Sequence, residues 1–548
     1  MTSVLFTGAF IHSSQDAFAT SLLVEDGVIA WLGDEDSSAS FIGRADRVID
    51  LEGALIAPAF VDTHVHLLES VLALNAVDVS PRNGGTSKEA VFALLQAQAK
   101  EWVSGKSAIS ATGYDDSAWS TPGIDSAALD NQFPGVPIYV PRADLHSAVA
   151  TTALLENAGL GEWVLDESGW IRGEAHTQIR NAIRDVPAAV RTKLYEQILR
   201  HCASQGIVAV HENSAPGIDT RDGLAQLIQM TASAQSGFPK VVGYRGELMT
   251  SREQLEQLQH EVPGLAGCAG DLSVDGSFGS RSAALRSAYH DDPSTSGILH
   301  LSKEEVAQHL RVCSQAQVQA GFHVIGDAAM DLVLAAAQEV SAEDNEARSR
   351  MRRCGHRIEH AEMADPQAIS QLISLGFSVS VQPAFDAYWG GDGGMYEQRL
   401  GTARMRETTP IRSYLKEGVP MGFGSDAPVT PIDPWGGVAA ALFHNSEDMR
   451  ISAKAAFKAH TRGGWRIAGE SNPLVGEIRI GAPAHLAIWQ SDELGVQAEN
   501  QGRSSWVTDS RSGTPLLPIL DQGAIEQGIR PTCLATLRDG VFLFDALN

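Results

Sequence analysis

Between about residue 58 and residue 468 the chain alternates short apolar runs with stretches of helical periodicity, and this alternation restricts the fold more than any other feature. The runs lie at 59–63, 207–211, 241–245, 272–275, 322–325, 357–360, 377–382 and 421–425. Short runs of this length, rich in apolar residues, are how parallel strands buried on both faces read. Helical intervals such as 304–320 and 366–375 supply the crossovers that parallel strands need. Eight strands with intervening helices predict an α/β fold of the (β/α)8 TIM-barrel type rather than an open sheet. The count treats about 69–200 as an insertion after the first strand, although that interval has strand-like pieces of its own at 108–112 and 137–140.

The two ends of the chain resemble each other. Leu22-Leu23-Val24 and Val28-Ile29 flank Asp26-Gly27, and Leu534 to Leu537 and Val541 to Phe544 flank Asp539-Gly540. Apolar runs around Asp-Gly are a strong hairpin signal. Neither end has enough strands to bury a core alone, so residues 1–57 and 469–548 are expected to join into one small β-sandwich beside the barrel at 58–468. The Ser-, Gly-, Gln- and Pro-rich segment from about 490 to 530 reads as an insertion within that sandwich.

Composition removes several classes of function. A net charge of -26 repels phosphate backbones and anionic lipid, so neither nucleic acid nor a membrane surface is expected as a partner. No stretch approaches the length of a transmembrane helix. The N-terminus lacks the basic start of a secretory signal. Five scattered cysteines without a Cys-x-x-Cys pair fit neither a disulfide framework nor a thiolate zinc site, and a cytoplasmic setting is expected.

The chemistry starts at Asp62-Thr63-His64-Val65-His66. Alternate residues of a strand share a face, so His64 and His66 form a natural ligand pair for Zn²⁺ or a similar divalent ion. Further polar residues recur where other barrel strands end: His323 in FHVIGD, His360 in HRIEHA and Asp426 in GFGSDAP. Each alone has a structural reading, a core histidine for His323 and a helix N-cap for Asp426. Barrel active sites gather at the C-terminal ends of the strands, so together these residues point to one metal site.

DTHVHL, GIVAVHE, SVDGSFGSRSAAL, FHVIGDAA, HRIEHAE, SVQP and GFGSDAPVTPIDP occur here in the order expected of the amidohydrolase superfamily. The resemblance is strongest to its amidohydrolase 3 branch, metal-dependent hydrolases similar to N-substituted formamide deformylases. It implies a (β/α)8 barrel, a metal centre on the residues just named, and cleavage of a non-peptide C–N bond by metal-activated water, with Asp426 as general base and then acid. It also implies a small-molecule substrate and is compatible with a homodimer. Relatives commonly carry a carboxylated lysine, bridging two metals, four residues before the Asp of the DGS motif. Here Asp271 stands there, ahead of Asp275. An aspartate is several bonds shorter, so one tightly held ion, Zn²⁺ by preference, is expected, with two ions or a weakened site as alternatives. Another departure, His485 where relatives usually have Asp, falls in the small β-domain and concerns structure only.

His360 is read as a ligand of a second metal or a donor to the oxyanion, and Glu359, on the opposite strand face, as part of a structural ion pair. His211-Glu212 reads as support behind the site. The substrate-binding candidates are Tyr114, Asp116, Trp119, Arg142 and His146 in the insertion and Arg281, whose guanidinium either clamps a substrate carboxylate or pairs with an acid. The Gly-rich tract 389–394 lacks the Lys of a phosphate loop and reads as a loop over the barrel mouth. Two other readings stay open: deamination of an amidine-like carbon, and a non-catalytic binding protein with a degraded metal site.

Overall fold

The computed structural model describes residues 3–102, 108–161, 169–184, 186–500, 503–507 and 514–547. Its centre is an eight-stranded parallel sheet: β1 (Phe60–Val65), β2 (Ile207–Ser214), β3 (Lys240–Arg245), β4 (Gly267–Cys268), β5 (Gln319–Val324), β6 (Arg357–His360), β7 (Ser378–Val381) and β8 (Met421–Phe423). Neighbours in the sheet follow chain order, the arrangement right-handed βαβ units produce. The cylinder closes just past β8, where Asp426 N donates to His64 O (2.7 Å) and His66 N to Ala427 O (3.0 Å).

Seven of the eight expected runs fall on these strands; 272–275 does not. β4 is the two residues Gly267–Cys268, after which the chain turns through Gly270 at φ +87°. Leu272 and Val274 then bond to β5 at a single residue, through His323 N to Leu272 O and Val274 N to His323 O (both 3.1 Å). The run is apolar because it is buried against the barrel, and burial alone does not distinguish a strand from a packed loop. The expected helix at 304–320 is Lys303–Gln315, started by a Ser302/Glu305 capping box; Gln317 at φ +56° ends the segment before β5. The helix expected at 366–375 is Pro366–Leu375, capped by Asp365 and ended by Gly376 at φ +81°.

β1 leads into α1 (Leu67–Leu74), and a separate five-stranded sheet follows between Val77 and Arg172. Its Ile109–Thr112 and Ile138–Pro141 are the strand-like pieces expected in the insertion. α2 (Gly173–Arg184) returns from this sheet toward the barrel, and α3 (Pro383–Trp389) follows β7.

Both hairpins form. Asp26 and Gly27 have φ of +52° and +81°, and Asp539 and Gly540 +47° and +72°, the positive values that a two-residue turn matched to strand twist demands. The ends contribute to a four-stranded and a five-stranded sheet; the latter orders Phe10–Ile11, Leu55–Pro58, Leu486–Gln490, Thr532–Arg538 and Val541–Asp545. Phe6, Leu22, Ile29 and Ile56 from one end share a core with Leu486, Ile488, Ala535 and Leu537 from the other. Neither end could bury these side chains alone. His485 stacks on Trp465 (ring centroids 5.3 Å) and its Nδ1 accepts from Asp539 N (3.2 Å). All five cysteines are free. Among the described residues, no helix is long and apolar enough to cross a membrane.

Candidate metal centre

The C-terminal ends of the strands bring six side chains together. His64 is the penultimate residue of β1 and His66 just follows the strand; Asp271 lies beyond β4, His323 on β5, His360 at the end of β6, and Asp426 beyond β8. Asp426 Oδ1 lies 3.4 Å from His64 Nε2 and 3.0 Å from His66 Nε2. Asp271 lies 3.4 Å from His64, 3.2 Å from His66, 3.6 Å from His323 and 4.0 Å from His360. Its carboxylate therefore lies within 4.0 Å of all four imidazoles. The sharp turn at Gly270, beside Asn213, sets the local backbone path: a Cβ on Gly270 would sit 2.9 Å from Asn213 Oδ1.

Each imidazole spends one nitrogen on a partner outside the cluster. Glu359 Oε2 is 2.9 Å from His64 Nδ1, Asn213 O is 3.0 Å from His66 Nδ1, Gly276 O is 3.2 Å from His323 Nε2 and Gln382 Oε1 is 2.9 Å from His360 Nδ1. Holding the far nitrogen fixes the ring and presents the other nitrogen inward, the usual preparation of a histidine for a metal. His64 Nε2, His360 Nε2, Asp271 Oδ1 and Asp426 Oδ1 are buried with no hydrogen-bond partner. One such atom costs about 1–3 kcal/mol. A cluster of four calls for a charged occupant, and three overlapping triads (His64/His360/Asp426, His64/His66/Asp271 and Asp271/His323/His360) have ligand atoms within 4.8 Å of one another. The donors thus fit a divalent cation.

The electrostatics agree. Burial disfavours a charged His64, yet Asp426, Asp271 and Glu359 outweigh it and raise the imidazole to about 10. His66 moves the same way. The carboxylates therefore draw positive charge into the cluster. Burial, reinforced by His323 and His64, holds His360 well below the usual imidazole range.

Two of these residues have unusual backbones: His360 has φ +67° and Asp426 φ +55°. Such conformations cost about 1–3 kcal/mol and persist where the surroundings over-determine them. Asp426 does not cap a helix; Pro434–Leu442 is capped by Asp433. The turn at His360 also explains what alternation along β6 conceals. Arg357 and Glu359 are fully buried; Arg357 Nη2 donates to Thr63 O (2.9 Å) and Nη1 lies 3.1 Å from His211 Nδ1. Glu359 has its expected ion pair, with Arg357 Nε at 2.5 Å, but it also orients His64. Glu212 Oε2 accepts from Leu67 N (2.7 Å) at the start of α1, so His211 and Glu212 both act behind the site. Asp275 is structural, accepting from Ala284, Ile325 and Gly326 N at 2.7–3.0 Å.

Two cavities meet at the cluster and share Asp144, His146, His323, His360, Asp426 and Val429. One is walled by Tyr114, Phe278, Phe385, Trp389 and Tyr396, with Arg142 beside them. The other, about 490 Å³, is polar and contains His66, Glu69, Arg180 and Asp271. Tyr114, Arg142 and His146 line the cavities that meet at the cluster. Asp116 supports them, 2.7 Å from Arg142 Nη2 and accepting from Tyr114 OH (3.1 Å), and Trp119 packs on Tyr114 (centroids 5.5 Å). Arg281 turns elsewhere: its Nε and Nη2 donate to Asp291 at 3.1 and 2.8 Å, so the reading of a structural pair holds and that of a substrate clamp is corrected. In the Gly-rich tract, Trp389 ends α3 and is a buried wall of the aromatic cavity. Phe385 and Tyr396 had no signal beyond aromatic character, and Gln382 stood in the SVQP motif without an assigned role.

The family model of the amidohydrolase family matches residues 47–544. "Putative amidohydrolase YtcJ" of Bacillus subtilis is 24% identical over 525 residues, covering 90% of this chain and 95% of the relative. An N-substituted formamide deformylase of Arthrobacter pascens is 23% identical over 508 residues, covering 88% and 92%. The solved structure of an uncharacterized metal-dependent hydrolase from Pyrococcus horikoshii superposes with a TM-score of 0.68 at 23% identity, covering 90% of this chain and 98% of that one. With its barrel, its clustered ligand-type residues and a family match over nearly its whole length, the chain belongs to the amidohydrolase family.

Proposed function

We propose that this protein is a metal-dependent hydrolase that cleaves a non-peptide C–N bond, in an amide, formamide, carbamate or cyclic amide, of a small molecule. The observation that carries this reading is the convergence of four imidazoles and two carboxylates whose inward atoms include four buried ones with no hydrogen-bond partner. When bound, a divalent ion lowers the pKa of a water and polarises the substrate carbonyl. Zinc is the first choice for an imidazole and carboxylate set. His64, His66, Asp271 and Asp426 would hold one ion tightly, and Asp271, His323 and His360 would offer a second position; a stoichiometry of two would mean that both are filled.

Asp426 takes a proton from the attacking water and returns it to the leaving nitrogen, so that the C–N bond breaks to give an amine and the acid of the acyl group, a carboxylic acid from an amide or a carbonic half-ester from a carbamate. His360, fixed through Nδ1 by Gln382, either fills the second position or donates to the developing oxyanion. Tyr114, Arg142 and His146 bring the inserted sheet to the substrate. The non-catalytic alternative rested on Asp271, and its contact with four imidazoles argues against that reading.

A panel of formamides, anilides, carbamates and cyclic amides tests the proposal, with amidines included to detect ammonia release. At least one C–N class is expected to be hydrolysed, with activity lost on dialysis against a chelator and restored by Zn²⁺, Mn²⁺ or Co²⁺. Ammonia release from amidines alone would replace the proposal with the deaminase reading, and turnover that survives complete metal removal would overturn it.

A further inference from the structure

The polar cavity carries a cation that the mechanism does not use. Arg180, on α2, lines it together with His66, Asp271, His360 and Asp426. Its Nε and Nη2 both contact Glu69 Oε1, the former at 3.1 Å. Arg184, one helical turn later, places Nη2 2.5 Å from the same oxygen. One carboxylate thus faces two guanidiniums, a local excess of positive charge in a chain whose net charge is -26. The side chains of Arg184 and Glu69 are 7% and 8% exposed, whereas that of Arg180 is 19% exposed. Arg180 is the member of the trio that both opens to the cavity and carries positive charge.

The acidic groups of this cavity other than Glu69 are engaged elsewhere or open to solvent. Asp144 accepts from Ser277 Oγ (3.1 Å), Ser280 Oγ (2.9 Å) and His146 N (3.1 Å), so its carboxylate is already satisfied. His176 Nε2 is taken by Tyr139 OH (2.8 Å). Glu174 is exposed on α2. Asp271 and Asp426 face the proposed metal. The second cavity that meets the cluster is aromatic, walled by Tyr114, Phe278, Phe385, Trp389 and Tyr396. A substrate lying across the cluster therefore meets aromatic rings in one cavity, where Arg142 is paired with Asp116, and the Arg180 guanidinium in the other. Arginine recognises carboxylates through paired, charge-assisted hydrogen bonds.

We infer that the substrate is bipartite: an aromatic or bulky apolar group fills the aromatic cavity, the scissile C–N bond lies over the histidine–aspartate cluster, and a carboxylate beyond that bond is bound by Arg180. The inference rests on the hydrolase reading above and narrows its substrate class to amides with an anionic arm. It adds Arg180, supported by Glu69 and Arg184, as the residue that selects for that arm.

Two matched pairs test this on the metal-loaded enzyme. N-benzoylglycine against N-benzoylglycinamide, read as benzoate release, places the carboxylate on the amine side. N-phenylsuccinamic acid against its primary amide, read as aniline release, places it on the acyl side. In at least one pair kcat/KM is expected to favour the carboxylate about tenfold or more. Arg180→Met is expected to bring that ratio to about one, and Arg180→Lys, which keeps a cation beside Glu69, to retain part of it. A wild-type ratio of one or below in both pairs, or a ratio unchanged by Arg180→Met, overturns the inference. If neither pair is turned over, calorimetric titration of N-benzoylglycine and N-benzoylglycinamide decides. Preferential binding of the carboxylate that is lost in Arg180→Met supports the subsite, even if the hydrolase reading has failed its own panel. Equal affinity, no binding, or a preference that survives the substitution overturns it.

Discussion

Asp426→Asn is expected to lower turnover by about three to four orders of magnitude while leaving metal content near that of the wild type. The substitution keeps the shape of the side chain and removes its capacity to take a proton. The backbone that positions it is held independently: Asp426 N donates to His64 O at 2.7 Å and its carbonyl accepts from Val429 N at 2.7 Å. Three other residues of the proposed ion site, His64, His66 and Asp271, stay in mutual contact without it. Loss of rate with retained metal separates a proton-transfer role from a purely structural one. Turnover within about tenfold of wild type would remove Asp426 from general-base catalysis.

The second large effect is on stability. Arg357 and Glu359 are fully buried, joined by Nε to Oε1 at 2.5 Å and Nη2 to Oε2 at 3.0 Å. Arg357 also lies over the Tyr244 ring at 4.4 Å. Arg357→Met strands the carboxylate in the barrel interior, and breaking a buried pair in this way costs about 3–5 kcal/mol. Chemical denaturation of the metal-loaded protein checks it. Arg357→Met/Glu359→Gln is expected to recover part of the loss, because no unpaired charge is left behind; a double variant less stable than Arg357→Met would contradict the account. The same pair gives a pH dependence. Burial would raise Glu359, but Arg357 and His64 hold it down to about 2 from an ordinary 4.5. A carboxyl depressed on folding contributes stability that is full above the ordinary value and is lost as pH falls from about 4.5 toward 2. That contribution is expected to be absent from Glu359→Gln.

What could be read from the residues was what depends on local rules. Asp26-Gly27 and Asp539-Gly540 need positive φ and have it. His64 and His66, two apart at a strand end, converge because strand geometry leaves little choice. Positions controlled by turns were less legible. The turn through Gly270 places Asp271 within 4.0 Å of all four imidazoles, a placement set by the backbone rather than by side-chain length. Positive φ at His360 breaks the alternation from which Glu359 was assigned a purely structural role. Arg281 finds Asp291 ten residues later, a pairing no motif announces. Arg180 had no local signal, because its significance depends on a helix after the inserted sheet reaching Glu69 beyond β1.

Metal content measured on purified, reconstituted protein and on a His64→Asn/His66→Asn variant tests the central claim most directly. The account expects at least about one divalent ion per wild-type chain and a large loss in the double variant, with both proteins folded by circular dichroism. A wild-type chain that retains no ion after exposure to zinc, manganese, iron and cobalt, or a double variant that binds as much as the wild type, would contradict it.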